Sequence, residues 1–540
     1  MRVIVEPEPN LRACVVVPAR NEEDLVGRCL QALADQRLIS PEEYEVILVL
    51  DGCTDETESR AREAKIRNPR LRLHLLDGPA EGAGHARRVG MEAACARLLG
   101  MGRGKGLIAS TDADTVVAPD WVSAQLGCVD HGARAIGGRI ELGDDENLPT
   151  DIAGWRAERG KQRQADLLSE SRKEGPRYLE HWQFSGASLA LTAEVYEEIG
   201  GLEPHAALED ENLERILRQR SISIERPLSV MVTTSARLVG RARHGLARDL
   251  ALATWFRTNT YKADDFDAKE IRARKKHSVG VVLVAQEDDR ALLHTLEEIL
   301  PYERSGLLDE VLVVCTDASI SDLPPATHIR RAGDLAPDFG PVRGYGDVLW
   351  RAISAVKSEV LLFLEPGIGA ASVPALIWPL LEREELALVK GFRSQLDGHP
   401  DIVARPLINL YRPELAGFVE PLSRNFAARR SLLETLPFPV GDGVSLSLLF
   451  DAAEQVGVDM LAQAKVGGDQ PCNPFIYSSE AAYAIQAAAA NRTQMQGDLV
   501  PGPLFLPTSD GLETRRVPLE ERPSLANLSL PTCAGQTSGQ

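Results

Sequence analysis

Positive charge is in short supply: 60 Lys and Arg face 79 Asp and Glu, a formal net charge of −19 with a pI near 5.1. A chain so acidic lacks the basic field that gathers DNA or RNA, which excludes nucleic acid as a bulk partner. The 8 cysteines, at positions 14, 29, 53, 95, 128, 315, 472 and 533, form no CxxC pair and no Cys/His cluster at zinc spacing. Buried free thiols in a reducing cytoplasm are therefore expected. No run of about 18 apolar residues occurs, so no membrane-spanning helix is expected. The opening MRVIVEPEPN carries acids and no long apolar stretch, so no secretory signal is expected either. What the chain does have is length and a core: 540 residues, 44% of them hydrophobic and 26% charged, enough for two or more globular domains.

Its pattern is strand, loop, helix, repeated. The apolar run from Ala13 to Val17 breaks at Pro18 into a polar loop, and Leu25, Val26, Cys29, Leu30 and Leu33 then recur with helical period. EVILVLDG follows and ends in Asp51, with Thr54 as the expected cap of the next helix. LRLHLLDG, a helix through GHARRVGMEAACARLL, then GLIASTDAD and APDWVSAQL continue the alternation, which argues a mainly parallel, doubly covered α/β sheet. After a basic stretch around Arg272 to Lys276 the same order returns: VGVVLVAQEDD, DEVLVVCTD, VLLFLEPGIG and LSRNFAARRSLLETLPF answer four segments of the first half in sequence. The expected organisation is a domain over 1–262, a basic linker over 263–276, a second copy over 277–524 and a disordered tail over 525–540.

In such sheets ligands gather where the strands end in carboxyl direction. There the chain places acids: Asp51, the pair Asp112 and Asp114, and Glu209 with Asp210 ahead of a helix. Each alone also suits a capping position. Two carboxylates at i, i+2 leaving a strand suit a hard dication, Mg or Mn, that also holds phosphate oxygens. Such an ion would neutralise charge on a departing nucleotide, and Arg87 and Arg88 would assist unless they belong to a solvated helix face. A basic cluster, Arg237, Arg241, Arg243, His244 and Arg248, suits an anionic acceptor, a diphosphate or a membrane surface, or else a domain contact. GMGRGKG lacks the Ser/Thr of a P-loop.

VVVPARNEED, VLDGCTDET, STDADT, FSGASLALT and LEDENL, in that order over roughly residues 11–240, resemble the GT-A glycosyltransferases of family 2. The resemblance implies that Pro18, Ala19, Arg20, Glu22 and Asp51 hold the nucleotide of a UDP- or GDP-sugar. It implies a DxD motif at Asp112 and Asp114 that binds metal with the donor diphosphate, and an ED motif at Glu209 and Asp210 whose second acid is the general base of an inverting transfer. GHARRVG departs from the family at Arg88, commonly Asn, and no QxxRW follows the ED motif, which argues against a processive polymer synthase.

The second half resembles the glucosyl-3-phosphoglycerate synthases through GYGDVLWRAI, VARPLI, RPEL, PLSRNFAARRSLLETLPF and RRVPLEERP. Its chemical positions are altered. Glu365, Pro366 and Gly367 stand at the DxD, Ser445 replaces a Glu, Pro471 stands at a metal-binding His, and Gly398 and Pro400 lie near the acceptor-binding Arg and Thr. Arg405 and Arg412 are expected to serve packing. The expectation is two tandem GT-A-like doubly wound domains: a metal-dependent glycosyltransferase acting on a hydroxyl acceptor, followed by a silent copy for stability, homodimer formation or acceptor docking. The alternatives are glucosyl-3-phosphoglycerate synthase activity, nucleotidyl transfer, and a non-catalytic nucleotide-sugar-binding scaffold.

Overall fold

The computed structural model describes residues 5–143, 160–162, 164–165, 167, 179–203, 209–240, 245–262, 267–285, 289–315, 328–393, 402–467, 479–493, 504–508 and 511–515. They fall into two compact units that divide between Thr260 and Tyr261. The expected tail over 525–540 lies outside the described residues.

In the first unit β1 (Ala13–Ala19) and β2 (Tyr44–Leu50) are buried at every position. A strand covered by helices on both faces is apolar almost throughout, which is why these segments are near-continuous runs and not alternations, with the ion-paired Glu45 as the charged exception in β2. Odd positions Ala13, Val15 and Val17 join one core layer with the helix Val26–Ala34, and even positions Cys14 and Val16 join the opposite layer with the helix Ala83–Gly100. β3 (Leu73–Asp77), β4 (Leu107–Ser110), β5 (Thr115–Val117), β6 (Ala135–Gly137), β7 (Arg139–Leu142), β8 (Leu189–Thr192), β9 (Ile224–Glu225) and β10 (Met231–Thr234) follow. The main sheet runs β3-β2-β1-β4-β8-β6-β9, with β8 antiparallel to both neighbours, and β5-β10-β7 form a small second sheet. Pro18 is tolerated inside β1 because β4 pairs only as far as Val16, so the proline closes a stretch with one neighbour.

Strand order reverses between β1 and β4, so the loops after them diverge and leave a crevice. One local expectation is corrected. Thr54 does not cap the second helix, which starts at Thr57; Asp55 Oδ1 takes the Thr57 N–H instead, and Thr54 bonds Asn21.

The second unit starts within the short edge strand β11 (Thr260–Tyr261) and continues with β12 (Val279–Ala285), β13 (Glu310–Cys315), β14 (His328–Arg331), β15 (Val360–Leu364), β16 (Leu388–Phe392), β17 (Phe426–Arg429) and β18 (Leu461–Lys465). Beyond β11 its order is β18-β16-β17-β15-β12-β13-β14, with β17 antiparallel to both neighbours. That is the first unit's order, strand for strand. Within the segment read as a linker, Ala268–Arg274 is helical and capped by the Asp267 carboxylate.

Candidate active site

β1 and β2 deliver the first residues. Pro18 and Ala19 end β1, Arg20 follows, and Glu22 is buried with its N–H donated to Thr57 Oγ1 at 2.7 Å. Asp51, just after β2, is buried; its two oxygens accept the N–H groups of Ala80 at 2.7 Å and Gly82 at 3.0 Å, with Arg20 Nη1 at 3.9 Å. A side chain at Gly78 would place its Cβ 2.8 Å from Asp51 Oδ1, so the loop can close over this carboxylate only with glycine there.

β4 delivers the aspartates. Asp112 is partly exposed and accepts from Arg87 Nη2 through Oδ1 at 2.8 Å. Asp114 is mostly buried and lies 2.9 Å, through Oδ2, from Arg237 Nη2. The antiparallel pairing Thr234↔Thr115 explains this arrival: it lays the chain after β10 beside the aspartates, and Ser235 N–H donates to the Asp114 carbonyl. Arg237 also grips Glu22 with two bonds of 2.9 Å. Burial, then the neighbouring Asp112, push Asp114 up to about 6, against the pull of Arg237.

The helix Glu209–Gln219 delivers the last pair. Its first turn carries Glu209, Asp210 and Glu211 against the positive end of the helix, while Leu213 and Leu217 fasten it to the core. Glu209 is buried and accepts Arg87 Nε at 2.9 Å. Burial raises its pKa; Arg87 opposes and Asp210 adds to the rise. Asp210 takes the Gly186 N–H at 3.0 Å and the Glu211 N–H at 2.9 Å.

The sequence-predicted residues thus separate into two groups. Glu22, Asp112, Asp114, Glu209 and Asp210 are linked through Arg87, Arg237 and Gly186, whereas Asp51 belongs to the neighbouring loop. Arg88 is held by Glu92 one turn along its helix, its Nε donating at 2.6 Å, which is the helix-face alternative. Arg87 is buried within the acids, where sequence reasoning had it beside the donor diphosphate. Arg237, expected within a basic cluster for an anionic ligand, instead meets the acids through the long-range β5–β10 pairing, and Gly186 carries no sequence signal of its contact with Asp210. Arg241, Arg243 and His244 lie outside the described residues. Among the described residues, no three His, Cys, Asp or Glu side chains form a metal-binding group. The donor set at β4 is two carboxylates, with Arg87 on Oδ1 of Asp112 and Arg237 on Oδ2 of Asp114, so each keeps its other oxygen for a hard dication whose remaining ligands come from diphosphate and water.

Residues 14–175 match the family model described as glycosyl transferase family 2. The glucosyl-3-phosphoglycerate synthase of Mycobacterium tuberculosis is 31% identical over 251 residues, 42% of this chain and 74% of that protein. The chain belongs to this family of glycosyltransferases. The synthase of Mycolicibacterium smegmatis is 29% identical over 233 residues, 39% of the glycosyltransferase and 77% of the relative. Among solved structures, mannosyl-3-phosphoglycerate synthase from Rubrobacter xylanophilus is 26% identical with a TM-score of 0.42, covering 49% of this chain and 93% of its own. The Mycobacterium tuberculosis synthase in complex with Mn2+ and UDP-glucose is 29% identical with a TM-score of 0.39, covering 49% and 96%.

The glycosyltransferase's second unit differs at the same strand end. Glu365, after β15, lies 3.7 Å from Arg393 and 3.8 Å from Arg424, and its N–H donates to Asn425 Oδ1 at 2.8 Å. Arg424 also bonds Asp442 at 2.7 Å and lies over the Tyr345 ring at 4.1 Å. Arg405 is buried on the carbonyls of Ala416 and Val419, and Arg412 pairs with Glu414 and Glu454. Ser445 is buried in the helix Val444–Val456. Gly398, Pro400 and Pro471 lie outside the described residues. Among the described residues no helix is long and apolar enough to cross a membrane.

Proposed function

We propose that the first unit moves a sugar from a UDP- or GDP-sugar to a hydroxyl acceptor with inversion, dependent on Mg or Mn, and that the second unit is catalytically silent. One observation carries the assignment of the base. Glu22, Asp112, Asp114 and Glu209 are each held by Arg87 or Arg237, whereas among the described residues Asp210 is held by the N–H groups of Gly186 and Glu211 and by no cation. An acid without a counter-cation is the one able to take a proton from an acceptor.

Asp112 and Asp114 would hold the dication, which supplies charge neutralisation for the leaving diphosphate. Asp51 and the loop after β1 would orient the nucleotide, and Asp210 would take the acceptor hydroxyl proton as the new glycosidic bond forms. Glu209, locked on Arg87, anchors the helix that presents Asp210. In the second unit Glu365 stands among two arginines without a second strand-end acid, a poor cradle for a dication with diphosphate.

The names of the curated relatives favour a second, narrower reading: glucosyl transfer to a phosphoglycerate. Nucleoside diphosphate release from a panel of UDP- and GDP-sugars, with Mn2+ and with or without 3-phosphoglycerate, separates the readings. Release only with that acid supports the narrow one, release with other hydroxyl acceptors the broad one, pyrophosphate a nucleotidyl transfer, and no release a binding scaffold. We place the protein in the cytoplasm on its free thiols, Cys14, Cys29, Cys53, Cys95, Cys128 and Cys315. Self-association through the second unit is checked by the mass of the particle in solution.

A further inference from the structure

Arg87 is the most connected cation of the site. Its side chain is buried, and its donors reach four acceptors from three distant parts of the chain: Glu209 Oε1 through Nε at 2.9 Å, Asp112 Oδ1 through Nη2 at 2.8 Å, and both Ser110 Oγ and the Gly186 carbonyl through Nη1, the latter at 3.0 Å. Gly186 turns the other way as well. Its own N–H donates to Asp210 Oδ2 at 3.0 Å. A Cβ at residue 186 would collide with Arg87 Nη2, so glycine is required for the guanidinium to approach this backbone.

We propose that Arg87 is a positioning residue that ties the metal-binding aspartate to the general base. Through one planar guanidinium it sets Asp112 directly and Asp210 by way of Gly186, and it keeps Glu209 engaged so that Asp210 alone faces the acceptor. A guanidinium suits the task because its five donors lie in one rigid plane and can serve several acceptors at fixed angles; an ammonium has the charge but not the fork. The consequence is a coupling: a change at Arg87 moves the dication's carboxylate and the base together, although Arg87 itself is buried away from solvent. The proposal deepens the reading of the first unit and rests on it.

The test uses the full chain and two variants. Arg87→Lys keeps the positive charge beside Glu209. The double change Arg87→Met with Glu209→Gln removes the buried pair together, because Arg87→Met alone would leave an unpaired buried acid. Mn2+ binding is titrated calorimetrically on the free protein, and turnover, donor KM and melting temperature are measured alongside. For Arg87→Lys we expect Mn2+ affinity to fall by about 10–100-fold, as when a hydrogen-bonded support of a metal ligand is lost. We also expect kcat to fall by about 10²-fold with donor KM changed much less, as for a displaced base. The double variant should fold and show the same kcat loss. Wild-type Mn2+ affinity and kcat in Arg87→Lys overturn the proposal. Failure of both variants to fold also overturns it, in favour of a purely architectural arginine. Asp114→Ala is the control that separates the two levels: if it binds Mn2+ like the wild type, the metal reading of the site has failed, whereas if it loses Mn2+ and Arg87→Lys is neutral, only the role of Arg87 has.

Discussion

Arg237 Nη2 stands 2.9 Å from Asp114 Oδ2, although the two residues are 123 positions apart, and the same guanidinium grips Glu22. A cation of the protein's own thus rests on the second aspartate of the pair proposed to hold a dication. The two positive charges answer the same need, because Asp114 is crowded by Asp112 and Glu22 in a partly dry site.

Removing that arginine should therefore be reparable by metal. Arg237→Met leaves Glu22 and Asp114 without their cation and should lower the melting temperature, and millimolar Mn2+ should restore more of it in the variant than it adds to the wild type. Thermal melts with and without Mn2+ measure this. Equal gains in both proteins would separate Arg237 from the metal site.

Asp114→Ala should abolish Mn2+-dependent binding of UDP while the chain stays folded. Calorimetric titration with UDP and Mn2+ checks it, with circular dichroism as the control for folding. Unchanged affinity would remove the metal assignment.

For the base, Asp210→Asn keeps the size of the side chain and an oxygen for the Gly186 N–H, but cannot take a proton. Turnover should fall by roughly 10²–10⁴ while donor affinity barely moves. Since Asn caps a helix about as well as Asp, near-normal nucleoside diphosphate release at saturating acceptor would leave Asp210 a capping residue and end the inverting scheme.

Glu365→Ala in the second unit should leave kcat within about twofold of wild type, since every proposed step is assigned to the first unit's acids. A loss of 10-fold or more would show the wrong unit to be silent.

Stability should carry a signature of Glu45, which is buried in β2. Burial works against its charge, but His74 and Arg97 hold its carboxyl down from 4.5 to about 2. A carboxyl whose folded pKa is depressed stabilises the fold fully above its unfolded value and loses that contribution as the pH falls through the folded one. The contribution is about 3 kcal/mol at neutral pH, declining between pH 4.5 and pH 2. Glu45→Gln should be less stable at pH 7, and its gap from wild type in urea melts should narrow as the pH drops below 4.5. A gap independent of pH would assign the loss to packing.

What the sequence determined by itself is local. Continuous apolar runs such as Ala13 to Val17, short and rich in β-branched valine, read as strands buried on both faces, and the acids that close them, Asp51, Asp112 and Asp114, fall at the carboxyl ends because strand and acid are neighbours in the chain. The repeat of those runs after residue 277 announced the second unit in the same way. The tertiary structure decided which cation meets which acid. Arg87 and Arg88 are adjacent and chemically identical, yet consecutive positions on a helix point about 100° apart, so one enters the acid cluster while the other pairs with Glu92 on the helix face. Arg237 looked like part of a surface basic cluster, and only the β5–β10 pairing carries it to Asp114 and Glu22. Ion pairs formed across such separations depend on how strands are ordered in the sheet, and that order is set by the packing of the whole unit.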